Sequence, residues 1–334
     1  MREIANSNLA RVLEAGHFAV AVEVCPPVGP NPGMVYRQIE VLRGYADAYN
    51  VTDNQSARVH TSSLAVSIML KQAGLDPVVQ FTCRDRNRLA IQSDLLGAAA
   101  FGITNVLALS GDHVSAGDHP HVKPVYDTDS INLIRMIQMM RDDQVFESGK
   151  HIPRRAPEFF VGAVANPFAP PYEFRPIRLA KKVAAGAQFI QTQLIYDVDR
   201  FREFMARVVD LGLHEKVSIL AGVGPIRSLR AAEFMANRVA GLIVPEGLVR
   251  RLEGLSKEGQ AQAGLDICIE IAQEVREIEG VRGLHIMAVN WADAVPQVVE
   301  ALDLYPRPRF EAVLQTDIAQ TTSPYASASG GHYD

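Results

Sequence analysis

Two carboxylates and two amides stand where apolar runs of this chain stop. Glu23 closes the run from Phe18 to Val24, just ahead of Pro26-Pro27, and Asp112 ends Asn105-Val106-Leu107-Ala108-Leu109-Ser110-Gly111-Asp112. Gln191 and Gln193 lie two residues apart in a third run. A carboxyl at the end of a buried run is partly desolvated, which raises its pKa and suits it to give a proton near neutral pH. A second carboxylate nearby supplies fixed negative charge. Paired amides suit the hydrogen-bonding edge of a flat heterocycle such as a pterin or a flavin.

Other chemistries lack their residues. The chain has no Gly-x-Ser-x-Gly elbow and no Ser or Cys beside a His in a nucleophile motif, so covalent acyl chemistry is unsupported. Gly222-Val223-Gly224-Pro225 lacks the third glycine of a dinucleotide fingerprint and reads as a tight turn from strand to helix. His113, His119 and His121, with Asp112 and Asp118, have metal-binding side chains but sit in a long polar loop, and no metal is expected. Arg84, Asp85, Arg86 and Arg88 read equally as an ion-paired helix start or a phosphate clamp. Cys25 is expected to face outward into core packing, and Trp291 to pack where a helix opens.

The elements that must position these groups alternate regularly. Apolar runs at 18–24, 48–51, 77–81, 105–109, 159–165, 188–192, 217–223 and 284–289 are nearly all followed by stretches of helical character, with two extra helices between the seventh and eighth runs. Eight short strands separated by helices predict an α/β fold, a (β/α)8 TIM barrel, whose catalytic groups come from the carboxyl ends of the strands. A doubly wound open sheet is the competing arrangement. Period-two alternation puts Ala19, Ala21 and Glu23 on the inner face of the first strand and Val20, Val22 and Val24 on the outer one. The same parity groups Ala108 with Ser110 and Asp112, Gln80 with Thr82, and Gln191 with Gln193.

Composition sets the outer limits. The chain has 334 residues, 48% of them hydrophobic, which suits one catalytic barrel over residues 1–310 and a Thr/Ser/Ala/Gly-rich flexible tail over 311–334. No apolar run approaches the roughly 18 residues that cross a bilayer, and Met1-Arg2-Glu3-Ile4-Ala5 lacks the order of a signal peptide, so a cytoplasmic protein with no membrane partner is expected. Three widely spaced cysteines argue against a disulfide framework. A net charge of -5 without a dense basic block argues against nucleic acid and for a small-molecule substrate. The chain is expected to be a homo-oligomer.

Five segments in order and spacing carry a resemblance. Val22-Glu23-Val24-Cys25-Pro26-Pro27, Tyr49 to Gln55, Leu107 to Asp112, Ala185 to Gln193 and Gly283 to Asn290 resemble methylenetetrahydrofolate reductases, and together they span nearly everything from Gly16 to Tyr305. Asn50 to Gln55 and Thr82 to Arg88 are most similar to the single-domain form of acetogenic and related anaerobic bacteria. The resemblance implies a flavin-bearing barrel that reduces 5,10-methylenetetrahydrofolate to 5-methyltetrahydrofolate in one-carbon metabolism and methionine biosynthesis. It implies Glu23 as the general acid that opens the imidazolidine ring, and Asp112 as the carboxylate between flavin and folate. Gln193 would read the pterin edge and Asn290 would border the folate. Thr52, Gln80, Ser110, Gly111, Asp112, Tyr126, Asn166, Arg178 and Lys182 would line the flavin. Hydride would pass from reduced flavin N5 to a 5-iminium carbon.

The departures bear on the cofactor. Gln80, Ser110, Asn166, Arg175 and Arg178 stand where the enterobacterial type carries His, Arg, Tyr, Asp and Asn. FAD is the cofactor the resemblance implies. FMN is the alternative, with Arg175, Arg178 and Lys182 on one helix face to receive its phosphate; an exposed basic stripe is the plain reading of the same spacing. NADH or NADPH is the expected electron donor, or an electron-donating protein partner as in anaerobic relatives. A flavin-free nicotinamide-dependent reductase, or a folate-binding barrel that presents the pterin to a methyl-carrier partner without its own reductase activity, remain the alternatives.

Overall fold

The fold is described from a computed structural model, which covers residues 6–239 and 241–310. The tail expected over 311–334 lies outside the described residues. Among those described, eight parallel strands pair in chain order and close into a barrel. They are β1 (Ala19–Val24), β2 (Ala48–Val51), β3 (Pro77–Thr82), β4 (Asn105–Leu109), β5 (Phe160–Ala165), β6 (Phe189–Leu194), β7 (Ser218–Val223) and β8 (Val281–Ile286). The helices are α1 (Asn8–Glu14), α2 (Pro32–Leu42), α3 (Ser63–Gln72), α4 (Arg88–Ala100), α5 (Ser130–Asp142), α6 (Phe174–Ala184), α7 (Val198–Asp210), α8 (Leu229–Arg238), α9 (Glu246–Arg250), α10 (Lys257–Arg276) and α11 (Ala294–Ala301). The barrel is the one expected from the alternation of runs, and closure excludes the open sheet.

Capping residues set many helix starts. Ser62, Asn87, Asp129, Asp197, Ser228 and Ser256 each accept a main-chain N–H of the first turn, satisfying donors that have no partner within the helix. One helix was not anticipated. α1 lies under the barrel, where Leu9, Ala10, Val12 and Leu13 pack with the inward Ala19, Ala21, Ala48, Val78, Leu107, Phe160, Phe189 and Leu220. At this closed end the buried Arg307 grips Asp47 at 2.6 Å.

The interior is layered, because neighbouring strands are offset. The register sets Asn50, Leu107, Gln191 and His285, from the even strands, between a lower layer of Ala21, Val78, Gly162 and Leu220 and an upper layer of Glu23, Gln80, Val164 and Gly222. Phe189 fills the bottom beside Gly162, where any Cβ would collide with its ring. The uppermost inward layer, Glu23, Gln80, Val164 and Gly222, holds nothing larger than valine that is not polar. The cleft therefore opens at the carboxyl ends of the strands.

Several expected boundaries move. β8 runs Val281–Ile286 and not from 284 to 289, so Asn290 lies four residues past its end. Ala108 packs outward with Val106 while Leu107 faces in, so the grouping of Ala108 with Ser110 and Asp112 is wrong. The strand stops at Leu109, and parity carries no meaning beyond it. Val20, Val22 and Val24 do face the helices, as the period-two pattern requires. α11 begins at Ala294, so Trp291 precedes the helix.

Candidate active site

A cleft of about 690 Å³ occupies the barrel mouth, within the range of small-molecule sites. Glu23 forms part of its wall beside Gln80, Gln191, Gln193 and His285. Burial raises the Glu23 carboxyl to about 7, opposed by a hydrogen bond that the Cys25 thiol donates to Oε1 at 3.5 Å. Cys25 is thus not the outward core residue expected from the sequence. It follows the last residue of β1, and its sulfur turns back to the acid.

A polar layer lies beneath Glu23. Asn50, Gln191 and His285 are 0%, 1% and 4% exposed, and their side-chain nitrogens and oxygens have no hydrogen-bond partner among the described residues. Buried polar atoms are normally paired. Gln191 and His285 line the cleft, where a ligand's polar atoms can meet them. Burial lowers the His285 ring to about 3, so it is neutral at physiological pH.

The loop after β4 passes close over β3. Gly111 has φ +83°, and a Cβ there would lie 3.0 Å from Cβ of Thr82. Only glycine meets both demands without strain. The turn carries Asp112 to the exposed cleft rim, while Ser110 and Gly111 line the wall below. Arg84, 2% exposed, fixes this loop from beneath. Its guanidinium donates to the main-chain oxygens of Asp112 at 3.3 Å, Asn54 at 3.1 Å and Asp53 at 3.4 Å, and to the Asp85 carboxylate at 2.7 Å.

Asp53 joins β2 to β3. It accepts the N–H and hydroxyl of Thr82, both at 2.9 Å, and pairs with Arg86. Arg88 pairs with Asp127 and Glu147. The 84–88 cluster is therefore an ion-paired helix start. Thr52 is buried on the same wall and donates to Gln55 Oε1 at 2.9 Å.

The opposite wall is cationic. Arg175, Arg178 and Lys182 all line the cleft from α6, so they are not an exposed surface stripe. Arg175 is held by the carbonyls of Ala169 and Pro170, and Lys182 donates to the carbonyl of Val164. Burial first, and then Arg178, lowers the Lys182 ammonium to about 8. Among the described residues the Arg178 side chain has no protein partner.

Most of the sequence-derived site residues meet here, and two do not. Glu23, Thr52, Gln80, Ser110, Gly111, Asp112, Asn166, Arg178, Lys182 and Gln193 share the cleft lining. Asn166 Oδ1 accepts the Phe168 N–H, and Gln193 Oε1 accepts the Leu194 N–H. Gln193 stands at a bulge, where β6 gains one residue against β7 between Gln191 and Leu194. Tyr126 stands behind the β4 loop, its hydroxyl donating to the carbonyls of Gly111 and Asp112 at 3.4 and 3.3 Å. Asn290 lies on the exposed β8 loop, its carbonyl accepting from Arg227.

Sequence reasoning passed over Asn50, His285 and the role of Arg84. Each left a trace. Asn50 is a polar residue inside a four-residue buried strand. Arg84 has too many carboxylates nearby in sequence for its partners to be read. His285 lies inside the expected run at 284–289, but as a lone polar residue in an apolar run it gives no sign that it faces inward.

A family model described as methylenetetrahydrofolate reductase matches residues 8–303. The chain is 24% identical to the 5,10-methylenetetrahydrofolate reductase of Salmonella typhimurium, over 91% of this chain and 97% of that protein. It is 23% identical to a probable methylenetetrahydrofolate reductase (NADPH) of Caenorhabditis elegans, over 91% of this chain but only 45% of the nematode protein. The chain thus spans less than half of that relative. Among solved structures, a Clostridium thermocellum protein that binds two copies of 5-methyl-5,6,7,8-tetrahydrofolic acid shares the fold, with a TM-score of 0.64, 14% identity and coverage of 89% of this chain and 98% of that one. Among the described residues no helix is long and apolar enough to cross a membrane.

Proposed function

The chain belongs to the methylenetetrahydrofolate reductase family, and from that premise we propose that it reduces 5,10-methylenetetrahydrofolate to 5-methyltetrahydrofolate as a single catalytic barrel. The observation that carries this reading is the Glu23 carboxyl, raised to about 7 at the wall of a cleft that also holds Asp112 and Gln193. A carboxylic acid that titrates near neutrality can both give and regain a proton at physiological pH.

The roles follow from chemistry and position. Glu23 protonates the N10 side of the imidazolidine ring, which opens to a 5-iminium cation. Asp112 stabilises that cation by fixed negative charge. Gln193 and Asp112 hydrogen-bond the pterin edge.

The residues also fit a flavin. The cationic α6 wall suits its phosphate, with Arg178 and Lys182 as the holding groups, and the unpaired amide of Gln191 offers both a donor and an acceptor to a heterocycle. A bound flavin would supply the hydride for the iminium carbon. FAD is the cofactor we adopt, with FMN separated from it by analysis of the released flavin, and NADH or NADPH as the electron source. We place the protein in the cytoplasm as a homo-oligomer.

The test is the visible absorption spectrum of the purified protein, followed by release and identification of the flavin. NADH or NADPH is then added anaerobically before methylenetetrahydrofolate. A flavin bleached by nicotinamide and reoxidised by the folate supports a self-sufficient reductase. Bleaching by dithionite alone points to a protein donor, and a protein without flavin overturns the flavin reading.

A further inference from the structure

Glu23 is held by an arm that begins on α2. Gln38 grips the main chain of Cys25 from both sides, its Oε1 accepting the Cys25 N–H at 3.2 Å and its Nε2 donating to the Cys25 carbonyl at 3.1 Å. The next residues, Pro26 and Pro27, are buried, and the Pro27 carbonyl accepts from Thr61 N–H at 2.8 Å and from its hydroxyl at 3.1 Å. The peptide that carries the Cys25 side chain is therefore fixed on both flanks. Its thiol has one carboxyl oxygen within reach, Glu23 Oε1 at 3.5 Å.

We propose that Cys25 and Gln38 are positioning residues for Glu23: Gln38 fixes the Cys25 peptide, and the Cys25 S–H fixes the orientation of the Glu23 carboxyl and stabilises its ionised form. The inference rests on Glu23 being the acid of the reaction. Burial pushes the Cys25 thiol up, so it stays protonated and remains a donor. A thiol is a weak donor, which makes the arm an adjustment of the acid and not a second acid. It opposes the burial that raises Glu23, keeping that carboxyl able to cycle between its two forms.

The surrounding groups are accounted for. β8 brings His285, neutral above about 3, and the main-chain N–H of Asn290 after β8 faces the Cys25 sulfur. β2 brings the uncharged Asn50, followed by Asp53, which is paired with Arg86. From α2 comes Gln38, also uncharged. Asp112, with Arg84 beneath its loop, and Arg175, Arg178 and Lys182 are the charged groups of the farther walls.

The experiment is a carboxyl titration of Glu23 in the intact protein by isotope-edited infrared or carbon NMR, assigned with Glu23→Gln and made without substrate. Cys25→Ala is expected to raise the midpoint by about half a pH unit. Cys25→Ser should return it to the parent value or below, because the hydroxyl donates more strongly. Gln38→Met should give part of the rise with the thiol intact, and carries the test if Cys25→Ala does not fold. The alkaline limb of the kcat profile should move with the midpoint. A midpoint unmoved in Cys25→Ala and in Gln38→Met, or a Ser variant that titrates like the Ala variant, overturns the proposal. Failure of the Glu23 acid role shows separately, as turnover that survives Glu23→Gln.

Discussion

Arg84 donates from its guanidinium to the main-chain oxygen of Asp112, 3.3 Å away. The same group holds the carbonyls of Asp53 and Asn54, so one buried cation ties the loops after β2 and β4 to the end of β3. The rim carboxylate therefore depends on an arginine that need not touch substrate.

Replacing Arg84 by Met should remove three carbonyl contacts and leave Asp85 without its ion-pair partner, with only Asn54 donating to it. The expected cost is about 3 kcal/mol of stability, as for other broken, largely buried ion pairs. Urea unfolding measures it. The KM for folate should rise with the loss of Asp112 placement, and Arg84→Lys should recover little, because an ammonium lacks the planar fork. A loss below about 0.5 kcal/mol would make the cluster an ordinary surface ion pair.

Gly111→Ala should be costly on two grounds. The backbone is left-handed at φ +83°, and the new Cβ would press on Thr82 at 3.0 Å. Strain of about 1–3 kcal/mol is expected, measured by thermal unfolding. Folate affinity should fall with it, because the turn carries Asp112. A variant with parent stability and KM would show that the loop relaxes freely.

The raised Glu23 carboxyl makes a prediction about stability against pH. Its folded value of about 7 exceeds the ordinary carboxyl value of 4.5, so the folded protein binds the proton more tightly. The contribution is fully present below 4.5 and is lost as pH rises through 7. Glu23→Gln should remove this loss and gain at most about 3 kcal/mol on the parent at pH 8 to 9. Denaturant titrations from below pH 4.5 to above pH 7 decide it, because the parent's stability falls relative to the variant's only between those values. An equal pH slope in parent and variant between 4.5 and 7 would contradict the raised carboxyl.

Lys182 gives the opposite sign. Its ammonium is lowered to about 8 from 10.5, so an anion that pairs with it must draw in a proton above pH 8. Flavin phosphate affinity should weaken between pH 8 and 10, and Lys182→Met should abolish that dependence. Fluorescence titration with FMN, and with riboflavin as the phosphate-free control, reads it. Riboflavin and FMN binding with equal affinity and equal pH response would remove Lys182 from the phosphate site.

The barrel was legible because buried parallel strands and amphipathic helices leave different periods in sequence. Small inner and branched outer residues on β1 made its two faces plain. What failed did so at strand ends. Parity has no force once β1 or β4 is over, so it misplaces Cys25, and grouping Ser110 and Asp112 with Ala108 gives that residue of β4 the wrong face. The start of β8 is masked because the exposed Arg282, followed by the buried but side-chain-free Gly283, interrupts its apolar pattern. Asn50 and His285 were passed over because an apolar barrel interior is the usual arrangement, and only strand register shows that they lie under Glu23.

The most direct measurement is a single turnover of methylenetetrahydrofolate with flavin-loaded, pre-reduced protein, comparing the parent with Glu23→Gln under anaerobic conditions. The variant is expected to bind flavin and folate and to be reduced at the parent rate, while reoxidation by methylenetetrahydrofolate falls by at least about 100-fold, the usual contribution of a general acid. Reoxidation of Glu23→Gln at the parent rate would contradict the central role given to this carboxyl.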